Sequence, residues 1–193
     1  MELNIIKYCA EECHRQRSGE ISVYNMCDAW QFAESYFYGQ ELWWDESDGP
    51  QSEQYKKIVQ LRGNRGGKPL DITPDFIEYL GTLVEPQKNK RGFRKIPIYV
   101  GNSFELVEKA PWDRVPELLV YLLESYYAGH LDPKKLYGHK LSKTAEDQFY
   151  YEFENIHPFV DGNGRAGKIL YNYLKDTLDN PVMPPNFWGS SNP

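Results

Sequence analysis

The sequence predicts an all-α fold class, mainly helical, with one small β-hairpin near residues 94–101. Three observations carry this. Leu118, Leu119, Leu122, Leu123 and Tyr126 recur at helical spacing between Val115 and Tyr127 and make one apolar stripe. Thr73-Pro74-Asp75 is a helix start by its chemistry, with a hydroxyl cap, a proline at the first position and an acid in the first turn. Only Ile96, Ile98 and Val100 alternate with their neighbours as a strand does.

Taken in order, Leu3, Ile6, Cys9, Ala10 and Cys13 repeat as a first helix, which Ser18-Gly19-Glu20 breaks. A second helix begins near Ser22–Asn25 and runs past Met26, Ala29, Trp30 and Ala33 to about Tyr38. Residues 45–53 are an acidic polar loop, and a short helix is expected over about 53–62. Gly63-Asn64-Arg65-Gly66-Gly67-Lys68-Pro69 lacks the order of a phosphate loop, and Pro69 removes a donor, so it reads as a surface loop. The helix opened by Thr73 runs to about Leu83. The basic tract Lys88-Asn89-Lys90-Arg91 reads as a solvated face. Pro97 confines the strand that follows to a sheet edge, where free backbone groups can pair with an extended peptide. Helices follow over Val115–Tyr127, Lys143–Ile156 and Gly164–Leu178, and the Pro-, Gly-, Ser- and Asn-rich tail is irregular.

The net charge of −6 disfavours a broad nucleic-acid surface. No leader is read at Met1-Glu2-Leu3-Asn4, and no segment has the length and hydropathy of a membrane span. With 3 cysteines a disulfide framework is not expected. The expected compartment is a reducing cytosol, with delivery into a host cell left open. Cys9, Cys13, His14 and Cys27 do not have zinc-ligand spacing, and Cys9 and Cys13, one turn apart, read as a buried helix face.

The chemistry concentrates in His157-Pro158-Phe159-Val160-Asp161-Gly162-Asn163-Gly164-Arg165-Ala166-Gly167-Lys168. Gly162, Asn163 and Gly164 can bend tightly and aim backbone N–H groups at an anion, and a helix starting there adds its positive end. Arg165 and Lys168 bring formal charge. Asp161 can hold a hard divalent cation such as Mg²⁺, and His157 can take a proton near neutral pH. Phe159 reads as an anchor that inserts into the core and fixes the loop. Gly162 to Gly167 also fits Gly-x-Gly-x-x-Gly, but the preceding residues 148–155 read as helix where a dinucleotide fold needs a strand.

This run resembles the core motif of the Fic/Doc (Fido) superfamily, His-x-Phe-x-Asp/Glu-Gly-Asn-Gly-Arg-x-x-Arg, at every defined position except Lys168. Gly92-Phe93-Arg94 followed by Ile96, Pro97, Ile98 and Tyr99 resembles that family's flap, and Pro111 to Tyr127 its helix with a proline-rich start. The resemblance implies one Fic-type domain over 1–193, with a variable helical part over 1–90, the core over 91–180 and an irregular tail over 181–193. It implies a base at His157, a metal ligand at Asp161, and phosphate binding at Gly162, Asn163, Gly164, Arg165 and Lys168. The flap residues would clamp a target segment. The implied activity is transfer of AMP from ATP, with Mg²⁺, to a Ser, Thr or Tyr hydroxyl of a target protein. Gly164 matches the adenylylating branch, where the Doc kinases have Lys. A Doc-type phosphotransferase and a non-catalytic binder are the alternatives. The family's last Arg pairs with a glutamate of an inhibitory helix, Ser/Thr-x-x-x-Glu-Gly/Asn. The nearest match here, Ser142 to Asp147, ends in Asp and is out of place. The sequence therefore predicts no inhibitor of its own, leaving constitutive activity or control by a separate small protein or a homo-oligomer.

Overall fold

The computed structural model describes residues 1–38, 71–101, 106–131, 136–137, 140–141 and 143–187, and among them are six α-helices, a 3-10 turn at Trp112–Arg114 and two short antiparallel hairpins. The helices are α1 Leu3–Arg15, α2 Glu20–Tyr38, α3 Pro74–Val84, α4 Val115–Tyr127, α5 Ala145–Ile156 and α6 Asn163–Leu174. The expected loop at 45–53, the helix at 53–62 and the Gly63–Pro69 loop lie outside the described residues. No helix among the described residues is long and apolar enough to cross a membrane.

Helix α6 is the centre of the packing, with α5, α2 and α3 against it, and α1 and α4 packed in turn on α2 and α5. Ten of its twelve residues are buried, so it has no solvent face and its polar side chains need partners inside the protein. The core on one side is aromatic. Tyr36 and Phe76 lie 4.4 Å apart by ring centroids, with Phe32 and Tyr173 at 5.3 and 5.5 Å from Phe76. Cys9 and Cys13 are buried in the same core.

Helix starts follow their caps. Thr73 Oγ1 accepts from Phe76 N at 3.2 Å, with Pro74 in the first turn. Thr144 and Asp147 form a reciprocal capping box, so α5 starts at Ala145 and not at Lys143. At the other end α6 stops at Leu174, short of the expected Leu178. Asp176 takes a left-handed φ of 55°, and Thr177 N reaches back to Asn172 O at 2.9 Å. Leu178 is still buried, and its carbonyl accepts from Trp30 Nε1.

The hairpin differs from expectation in place. Strand β1, Tyr99–Gly101, pairs with β2, Leu106–Glu108, in the register Tyr99↔Glu108 and Val100↔Val107. Ile96 and Pro97 precede the ladder, because Pro97 has no N–H to give it. A second hairpin, β3 Leu136–Tyr137 with β4 Lys140–Leu141, is not expected from the sequence, since two-residue strands show no alternation. The tail has no regular structure over 181–186 but is packed, with Val182 N and O both bonded to the Asn172 side chain and Phe187 buried.

Candidate active site

The turn between α5 and α6 is built by three local constraints. Pro158 disfavours a right-handed helical conformation at the residue before it, and His157 closes α5 in the left-handed region at φ 52°. Gly162 caps α6 at φ 77°, where any side chain would be strained. Between them Asn163 closes the loop on itself. Its Oδ1 accepts from Phe159 N and its Nδ2 donates to Phe159 O, both at 2.9 Å. The Phe159 ring is fully buried, stands 5.7 Å from Phe93, and fills the space a Cβ on Gly81 would need. It is the anchor the sequence suggests.

Arg94 holds the turn from the flap side. It is 2% exposed and donates from Nε to His157 O at 2.6 Å, from NH2 to Ile156 O at 3.1 Å and Ala110 O at 2.5 Å, and from NH1 to Ile96 O at 2.9 Å. Its backbone N–H reaches Pro158 O at 2.9 Å. One guanidinium therefore ties both ends of the hairpin to the two carbonyls around the strained His157.

His157 Nδ1 stands 3.3 Å from Glu154 O. A carbonyl can only accept, so Nδ1 carries the hydrogen in that bond and Nε2 keeps a free lone pair. Burial pushes the imidazole pKa down to about 4, with Lys109 and Arg94 adding to the effect and the Glu154 carbonyl and Asp161 opposing it. The ring is neutral at physiological pH. Glu154, on the same face of α5, has its Oε1 enclosed with no hydrogen-bond partner among the described residues. Burial raises its pKa to about 7, against the pull of Lys168 and Lys109.

Asp161 is half-buried. Its Oδ1 accepts from Gly162 N at 2.6 Å and lies 3.6 Å from Arg165, while Oδ2 pairs with Lys88. Burial raises its pKa, but Lys88, the Gly162 N–H and Arg165 outweigh that and the carboxylate stays ionised. Asn89 is fully buried and brackets the same residue, donating to Asp161 O at 2.8 Å and to Gly81 O at 3.0 Å. The tract 88–91 is thus a clasp on Asp161 as well as a solvated face. Among the described residues no three His, Cys, Asp or Glu side chains gather as a metal cage. One ionised carboxylate on an open cavity is a donor set that fits Mg²⁺ all the same, because that ion takes few ligands from the protein itself.

A cavity of about 440 Å³ opens over this turn. His157, Asp161, Gly162, Asn163, Gly164 and Lys168 line it. The first N–H groups of α6 have no intrahelical acceptor, and the cap residue Gly162 has no side chain to offer them one. Arg165 points elsewhere. It is 1% exposed and bonds Glu85 at 3.0 Å and Val84 O at 3.3 Å, fastening α6 to the end of α3. Of the flap, Val100 reaches the cavity, while Ile96, Tyr99, Leu106 and Val107 are exposed.

The structure corrects the expectation that position 168 finds no glutamate in this chain. Lys168 Nζ pairs with Glu12 Oε1 at 2.5 Å, and Glu12 is 1% exposed. Glu12 lies on α1 with Tyr8 four residues before it and Cys13 after it, where the inhibitory pattern has Ser/Thr and Gly/Asn. A hydroxyl-bearing residue four before a glutamate on the first helix is the loosened signal that finds it. Glu12, Arg15 and Gln16 are site residues the sequence does not single out, while Lys88 and Asn89 read there only as a solvated face and Arg94 only as part of the flap.

The model of the Fic/DOC family matches residues 87–174, which run from the Asp161 clasp through the hairpin to the end of α6. Several solved structures are similar. One is a Fic family protein from Desulfovibrio desulfuricans G20, 16% identical with a TM-score of 0.43, the match covering 92% of this chain and 58% of that one. Another is a Fic domain containing signaling protein from Bacteroides thetaiotaomicron VPI-5482, 16% identical with a TM-score of 0.47, covering 95% of this chain and 76% of that one. The present chain thus spans less than two thirds of the first of these. No curated protein matches it.

Proposed function

The chain carries a Fic/DOC family domain over residues 87–174, and from that premise we propose that it transfers AMP from ATP to a Ser, Thr or Tyr hydroxyl of a target protein, releasing pyrophosphate. The observation that carries this reading is the neutral imidazole of His157, with Nε2 free, beside the uncapped start of α6 and the ionised Asp161. His157 Nε2 takes the proton of the incoming hydroxyl. The alcohol oxygen forms a bond to the α-phosphorus as the bond from that phosphorus to the bridging oxygen of pyrophosphate breaks. The N–H groups of Asn163 and Gly164 face the phosphate oxygens on which charge builds. Mg²⁺, when bound, would be held by Asp161 and would neutralise phosphate charge there, with Lys88 giving up its place on that carboxylate. The exposed strand β1 offers backbone groups to an extended target segment.

Glu12 is then a brake within the chain, in place of the separate inhibitory protein or homo-oligomer the sequence suggests. Its carboxylate occupies Lys168, which a terminal phosphate would need. Incubation with Mg²⁺ and α-labelled or γ-labelled ATP tests the reading. Label on protein from the α position only, lost in His157→Ala and increased in Glu12→Gln, is expected. Label from the γ position instead makes the protein a phosphotransferase, and label from neither in wild type and Glu12→Gln makes it a binder.

A further inference from the structure

Glu12 holds more than Lys168. Gln16 Nε2 donates to its Oε1 at 2.5 Å, and Arg15 NH1 to its Oε2 at 3.2 Å. Two cations and an amide, from the last turn of α1 and the middle of α6, therefore converge on one buried carboxylate. Arg15 and Gln16 line the same cavity as Gly162 to Gly164 and Lys168. The Gln16 amide lies so close to the α6 start that a Cβ on Gly164 would stand 2.5 Å from its Nε2. The donors form a continuous series, from the first N–H groups of α6 to Gln16, Lys168 and Arg15.

We propose that the last turn of α1 is the second half of the nucleotide site, with Arg15, supported by Gln16, binding the terminal phosphates and supplying the planar fork that Lys168 lacks. This rests on the nucleotide reading above. Once Glu12 leaves, Lys168 and Arg15 hold two positive charges at that end of the cavity, against the one carboxyl of Glu154, whose pKa burial pushes up to about 7, and only the terminal phosphates of a triphosphate extend from the α6 start to reach them. Arg15 is free to turn toward it. Its side chain is 52% exposed, and among the described residues it bonds Glu12 and the Met183 sulfur, the latter at 3.5 Å. A lysine at position 168 delivers charge without geometry, and a guanidinium arriving from α1 restores the two-point grip.

The test is binding of α,β-methylene ATP and of AMP, with Mg²⁺, by calorimetry on the full chain. Wild type, Glu12→Gln, Arg15→Ala and Glu12→Gln/Arg15→Ala are compared. The double variant matters because Arg15→Ala alone could act by leaving Glu12 freer to hold Lys168. Loss of Arg15 in the Glu12→Gln background is expected to weaken the triphosphate about tenfold to a hundredfold and to leave AMP within about twofold. Arg15→Lys should recover only part of the loss. Unchanged triphosphate affinity in the double variant, or an equal loss for AMP, overturns the assignment while leaving the nucleotide reading intact. Failure of wild type and Glu12→Gln alike to bind either nucleotide overturns both.

Discussion

The depressed pKa of His157, the base of the proposed reaction, also makes stability depend on pH. The imidazole titrates near 6.5 in an unfolded chain and near 4 in the folded protein. Between those values the unfolded state binds more protons, so folding stability falls as pH drops from about 6.5 toward about 4. At pH 4.5 the unfolded imidazole is almost fully protonated and the folded one about one quarter so. Acidification from pH 7 to 4.5 should therefore withdraw roughly 2 kcal/mol through this residue alone, or about 4–8 °C in Tm for a chain of this size. His157→Asn isolates the term, because asparagine does not titrate and tolerates the left-handed backbone at φ 52°. Asp161, Lys109, Arg94 and Glu154 also face the ring or its turn, but they are present in both proteins, and their shared contribution drops out of the difference. Urea unfolding of both proteins at the two pH values is the assay. Wild type should lose roughly 2 kcal/mol more than the variant on acidification. Equal losses would mean that the imidazole is solvated, and the reasoning that makes it a ready base would fail with it. In the active protein the same shift places the acid limb of kcat/KM near pH 4 and leaves activity flat through pH 6.5.

Two further perturbations probe the frame around that imidazole. Phe159→Ala empties the space between Phe93 and Gly81 and should cost about 3–5 kcal/mol in urea unfolding, with a loss of less than 1 kcal/mol showing that the loop is held some other way. Arg94→Lys keeps one charge but cannot satisfy the carbonyls of Ile96, Ala110, Ile156 and His157 together, so about 2–4 kcal/mol of stability should go. Its kcat should fall more than its KM rises, since the base is misplaced and not the nucleotide; a change confined to KM would count against a positioning role.

Much of this architecture is legible in local chemistry. The bounds of α4 at Val115 and Tyr127 coincide with expectation, because a proline at its start and a clean apolar stripe leave little choice. The start of α3 is fixed by Thr73 and Pro74 in the same way. The site turn is legible too, since its glycines, proline and asparagine each do local work. What the sequence does not disclose is every partner that comes from far along the chain. Glu12 and Lys168 are 156 residues apart, and Asn89 and Asp161 are 72 apart. No spacing rule connects them. The end of α6 is misplaced for a related reason. Leu178 continues the apolar pattern, but it reaches the core after a turn at Asp176 and not along the helix.

The common cause is the position of α6. A helix buried on all sides must satisfy each polar side chain within the protein, and it does so by fastening a different element with each. Asn163 holds the motif loop, Arg165 the end of α3, Lys168 the first helix and Asn172 the tail. Arg165 and Asn172 lie outside the cavity lining, and the Asn163 side chain is spent on both backbone polar atoms of Phe159. Lys168 is different, because its partner lines the same cavity that would admit a triphosphate. Breaking a buried pair by removing one member costs about 3–5 kcal/mol, so the exchange of Glu12 for a phosphate has to be close to concerted: the incoming anion must reach Lys168 as the carboxylate leaves. Arg15 and Gln16 sit on that path and contact the carboxylate already. Groups that bond the departing carboxylate and could bond the arriving phosphate would hand one anion over to the other at Lys168, and on the proposed reading the last turn of α1 would then govern entry to the site as well as its affinity.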